Sequence, residues 1–209
     1  MSTLVVNPAG QPFGPLLNAR DLLPLPVDTP YGNLGLKLLK VWQRIGQANL
    51  RLKESYGHWE QFLTPQVPGR IDHESRHRFA AEEAVFMLRR AADELVALIW
   101  VLERHEATGA YPASVKLDSI SEALARAWPL TEPHRWLLTT LNELSNAHKH
   151  SFLQSDLNLV GTEEPCVAVL TVDRNRLSQE VMFQNVALFD LAEAFSAFIG
   201  DCFNRLEAL

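Results

Sequence analysis

From Gly35 onward, apolar positions recur with a helical period. Leu38, Trp42, Ile45, Leu52, Tyr56, Trp59 and Leu63 follow three- and four-residue steps, with Asn49 as the one polar member of the seam. That spacing predicts a long amphipathic helix with a stripe wide enough for helical neighbours. The segment "TPQVPGR" (64–70) breaks it, and a second long helix, rich in Ala and Leu, is expected from about Asp72 to Glu106. "ATGAYPAS" ends that one, and shorter helices are expected at roughly 117–128 and 132–152. The period then switches. "CVAVLTVD" (166–173) and "EVMFQNVA" (180–187) are β-branched and apolar and read as a hairpin. A last helix over about 188–207 would bury Leu188, Leu191, Phe195, Phe198, Ile199 and Phe203. The expected fold is therefore mainly α, an antiparallel helical bundle with a small C-terminal β-hairpin insertion.

The first thirty residues obey a different rule. They hold half of the twelve prolines, so the chain there must be extended or turning. They also carry "LLNARDLLPLPV", too apolar for a free tail. Residues 1–34 read as a Pro-rich extended arm on the body or on a partner subunit, and 35–209 as one helical-bundle domain with its hairpin at about 166–187.

Composition narrows the function classes. The chain has 209 residues, 47% hydrophobic and 21% charged, which suits one domain with a substantial core. A net charge of -6 gives no overall field to attract nucleic acid or an anionic membrane. No apolar run of membrane-spanning length occurs, and the N-terminus has no basic region followed by an apolar one. Cys166 and Cys202 lie in apolar surroundings, as expected of buried reduced thiols in a cytoplasmic protein. A seam, an apolar arm and a hairpin edge together offer enough apolar surface to predict a homodimer.

Two stretches carry candidate chemistry. The first is "HESRH", His73 to His77, a literal H-E-x-x-H. A zinc helix needs both histidines rigidly held one turn apart, the glutamate beside them and a third ligand. Here Asp72 is a good N-cap, which places His73 in a first turn that frays, with Arg76 and Arg78 close by. No third ligand is evident, and pairs spaced i,i+4 (Asp72 with Arg76, Glu74 with Arg78) give these charges a structural reason. A zinc hydrolase built on His73, Glu74 and His77 is the outlying alternative; neither metal nor cofactor is expected.

The second stretch is "LNELSNAHKHSF", Leu141 to Phe152. On a helix Leu137, Leu141, Leu144 and His148 form one core-facing stripe, with Asn142, Asn146 and Lys149 along its edge and His150 round the other side. Two asparagines are poor residues for a helix interior, so this polar set needs a buried network or a ligand. His148 suits a hydrogen-bonded core histidine.

The combination of "LRRAADELV" (88–96) with Leu144-x-Asn146-x-x-Lys149-His150 resembles a group of bacterial helical proteins. These pair an L-R-x-A-L-D-x-L helix with a later L-N-x-L-x-N-x-x-K-H helix. More distantly it resembles the HEPN superfamily (higher eukaryotes and prokaryotes nucleotide-binding), whose ribonucleases carry R-x4-H. The resemblance covers about 72–152. It implies a HEPN-like bundle, aligns Asn146 and His150 with the family's polar residue and catalytic histidine, and aligns Asp93 with the aspartate of the earlier helix. It departs at position 145, where serine replaces the arginine that would hold a scissile phosphate.

Metal-free RNA cleavage needs an acid or base near neutral pKa and a cation for the phosphorane oxygens. His150 could be the first, and Lys149 or Arg135 the second. Residues 145 and 150 diverge by about 140° on an ideal helix, so convergence needs an irregular helix end or a second subunit. A competing reading pairs Asp93 or Glu94 with Lys149 or a charged His150 across the bundle, as scaffold. The expectation is a non-catalytic binding or assembly module with RNA or a nucleotide as its potential ligand. The alternative is a metal-independent ribonuclease around Asn146 and His150.

Overall fold

The computed structural model describes residues 23–63, 72–149, 164–171 and 182–209. Two long helices form its spine. Helix α1 spans Leu34–Phe62 and α2 spans His73–Thr108. They run antiparallel, as the descending partners show: Arg44 meets Glu94, Arg51 meets Glu83, and Ser55 meets His77. Each start is capped by a side-chain oxygen, Asn33 accepting from the Leu36 amide and Asp72 from the Ser75 amide, both at 3.0 Å. Helix α2 ends where Gly109 takes φ +70°, a turn that a side chain would strain.

A short helix α3 (Ile120–Ala125) and a 3-10 turn (Pro129–His134) lead into α4 (Arg135–Lys149). Strands β1 (Cys166–Thr171) and β2 (Met182–Ala187) form an antiparallel pair, Cys166 opposite Ala187 and Thr171 opposite Met182. Helix α5 (Leu188–Glu207) follows directly. Fold class and hairpin match the expectation, and α5 matches to the residue. Several boundaries differ. The helix expected at roughly 117–128 spans only Ile120–Ala125. The helix expected from 132 begins as α-helix only at Arg135, because Pro133 lacks an amide donor and sits in the 3-10 turn. Leu63, expected on the buried seam, is the C-cap of α1 and is 61% exposed.

The main core joins α1, α2, α4 and α5 through residues such as Leu38, Ile45, Leu88, Leu95, Leu137, Phe195 and Phe198. Strand β1 is buried on both faces. Val167 and Val169 enter the main core, while Cys166 and Ala168 join a satellite cluster with Trp59. That double burial explains why "CVAVL" reads as a continuous apolar run instead of alternating. Of the N-terminal arm, the described part lies on the body. Leu23, Leu25 and Tyr31 pack against the core, and the Tyr31 hydroxyl donates to the Pro112 carbonyl. Residues 1–22 are outside the described set. Both cysteines are buried free thiols. Among the described residues no helix is long and apolar enough to cross a membrane.

Candidate functional site

The polar set predicted on the later helix lies in the seam between α2 and α4. These helices are antiparallel too, Asn142 opposite Arg89 and His148 opposite Glu82. On α2, Arg78, Glu82, Phe86, Arg89 and Asp93 are spaced by three or four residues and share one face. Arg89 bridges the helices: it donates to the Asn142 Oδ1 at 3.3 Å and lies 3.2 Å from Asp93 Oδ2. The other oxygen of Asp93 accepts the Ile120 amide at 2.8 Å, capping the entry to α3. Burial raises the Asp93 carboxyl above the usual range, opposed by the Ile120 amide, Arg89 and Lys149. Lys149 thus acts on Asp93 through space and forms no ion pair among the described residues. Asp93 is consumed as a structural bracket between three elements.

His148 is the surprise of the seam. It is buried as predicted, its side chain 2% exposed, yet neither ring nitrogen has a hydrogen-bond partner among the described residues. Nδ1 stops 3.5 Å from Glu82 Oε1. The distance would suit an ion pair with a protonated ring, but burial, with Arg78 nearby, pushes His148 down to about 4. The imidazole is therefore neutral at pH 7 and no ion pair forms. Burial also raises Glu82, with Arg78 opposing. One turn earlier, Ser145 is wholly buried and its Oγ lacks a partner among the described residues.

The remaining predicted residues scatter. Asn146 and Lys149 are exposed on the far edge of α4. Glu94 does not join the cluster: it faces α1, 2.9 Å from Arg44, with Arg90 at 3.8 Å. Arg135 cannot serve as the phosphate cation, since it is held by Glu132 at the opposite end of α4, some 20 Å along the helix axis. His150 lies outside the described residues. Sequence reasoning missed Glu82 and Arg89 and read Arg78 only as a partner of Glu74, whereas it lies 3.8 Å from Glu82; the signal was their period on an otherwise Ala/Leu-rich helix.

The HESRH stretch resolves into two unrelated contacts. His77 is wholly buried, and burial lowers its pKa. Nε2 lies 3.1 Å from the Cys166 carbonyl, and Nδ1 lies 3.0 Å from the Ser55 carbonyl and 2.8 Å from the Ser55 hydroxyl, which also donates to the His77 carbonyl at 3.3 Å. A neutral ring has one N–H, so the two carbonyls compete for it. His73 instead meets His58, Nδ1 to Nδ1 at 3.1 Å. The two histidines of the motif do not converge. Among the described residues no group of three or more metal-ligating side chains forms.

Comparison with family models, with curated proteins and with solved structures finds no match. The seam offers a buried neutral histidine, two guanidiniums beside carboxylates, and an uncharged residue at position 145. It can lock helices in register, and a ring with a pKa of about 4 is a weak base at neutral pH.

Proposed function

We propose that the chain is a HEPN-like helical module that binds or assembles without catalysing a reaction, and that it works as a cytoplasmic homodimer. The observation that carries this reading is the burial of Ser145 and His148 against α2. The position where an RNA-cleaving relative would present an arginine faces the core and bears no charge. The cations nearest the motif on α2 lie beside carboxylates, Arg89 at Asp93 and Arg78 at Glu82. Support for assembly comes from Phe79, Trp136 and Phe183, each more than half exposed. The buried free thiols suit a reducing compartment.

The test uses the full chain and its His150→Ala variant. Single-stranded RNA should survive incubation in EDTA with either protein, the variant should alter melting or assembly, and light scattering should give a dimer mass. Strong EDTA-resistant cleavage by the wild type, lost in a variant of normal melting temperature, would replace this reading with the ribonuclease one.

A further inference from the structure

A cleft of about 540 Å³ opens at the end of the bundle remote from the α2–α4 polar seam. Its walls come from the last turns of α2, the loop before α3, the α3–α4 connection and the end of α5. The size is that of a small-molecule site. Trp128, half-buried, supplies an aromatic wall above a floor that Trp100 reaches at 5% exposure, and four cations line the cleft against two carboxylates, in a chain whose net charge is -6.

The charges are not equivalent. Arg126 is held by Glu122 at 3.2 Å, and Arg205 by Glu103 at 2.7 Å. The second Glu103 oxygen accepts the Trp128 indole N–H at 3.3 Å, so this carboxylate is neutralised while it fixes one aromatic wall. Arg104 and Lys116 have no carboxylate partner among the described residues, and both are exposed. The Arg104 guanidinium sits 5.6 Å above the Trp100 ring, which orients it without discharging it. Glu106 is the one opposing lining charge that no cation pairs among the described residues, and it leaves the mouth of the cleft net positive.

The backbone at the rim is strained in the same place. Helix α3 ends in a Schellman turn, Trp128 N–H to the Ala123 carbonyl and Ala127 N–H to the Leu124 carbonyl. The left-handed position of such a turn favours glycine, yet Ala127 occupies it at φ +47°. This turn aims Arg126 and Trp128 at the cleft, and strain of this kind concentrates at ligand sites.

We infer that this cleft binds a small organic anion with a flat aromatic body, its charge met by Arg104 and Lys116 and its ring by the exposed side of Trp128. The inference is independent of whether the chain cleaves RNA. The probes are 1-naphthyl phosphate, inorganic phosphate and 1-naphthol, titrated calorimetrically against the full chain. Naphthyl phosphate should bind saturably at one equivalent per chain, more tightly than either fragment. The joint substitution Arg104→Gln and Lys116→Gln, on two exposed side chains, should weaken it about tenfold or more with unchanged melting. Joint Lys37→Gln and Lys40→Gln, in a hollow of about 260 Å³ beside α1, should leave it unchanged. Three results would overturn the inference: no saturable binding of naphthyl phosphate, equal affinity for inorganic phosphate alone, or affinity that survives the first double variant and falls in the second.

Discussion

Replacing His148 by leucine separates packing from protonation in the seam. The ring is 2% exposed at its side chain, neutral, and without a hydrogen-bond partner among the described residues. Leucine has similar volume and removes two buried polar atoms, so at about pH 7.5 the variant should be as stable as the wild type or more stable by about 1 kcal/mol. Acid should widen the gap. The folded value of about 4 lies below the ordinary 6.5, so between the two the unfolded chain binds the extra proton. Stability from this residue is whole above 6.5 and lost as pH falls toward 4. At about pH 5 the linkage amounts to about 2 kcal/mol. The facing groups on α2 are Glu82, Arg78 and the ring of Phe86. Burial raises Glu82, which contributes with the opposite sign as its own proton is taken up in acid, and it remains in both proteins. Urea denaturation at the two pH values measures all four stabilities. Identical pH dependence in the two proteins would refute the argument. So would a loss above about 2 kcal/mol at neutral pH, which would reveal hydrogen bonds to the ring.

The other histidine of the core should behave oppositely. His77→Leu removes the ring's contacts with the Cys166 carbonyl and with Ser55, whose hydroxyl keeps the backbone carbonyl of residue 77, so a loss of about 2 kcal/mol is expected by the same denaturation assay, and one below about 0.5 kcal/mol would contradict the assignment. Asp93→Ala should lower the melting temperature by roughly 10 °C, because it removes the acceptor of the Ile120 amide, which the Ser119 cap of α3 does not replace, and leaves Arg89 without its carboxylate. Asp93→Asn keeps the acceptor for the Ile120 amide and should lose about half as much; equal losses would deny the capping role.

How much of this was legible in the sequence depends on the range of the interaction. The cap at Asp72 and the stripe ending in His148 are local signals, and each stands where the pattern puts it. The start of α4 was misjudged because "TEP" resembles a helix start, whereas Pro133 holds the chain in a 3-10 turn. Glu94 was assigned to the wrong neighbour because its partner depends on the register of α1 against α2, and Arg44 lies fifty residues away. The literal H-E-x-x-H misleads for the same reason. Its second histidine is claimed by a strand that begins at Cys166. The Trp100 and Trp128 cleft draws on separate segments and has no sequence spacing at all.

The double burial of β1 also bears on the order in which the chain is made. Trp59 and His77 emerge from synthesis early, yet the strand that covers them and meets the His77 ring begins 89 residues after that histidine. A nascent α1–α2 pair therefore carries an open apolar flank until most of the chain exists, and closing it means closing a long loop, which slows folding. A chain truncated before Cys166 is expected to expose that flank permanently and to aggregate, although both of its longest helices are already complete.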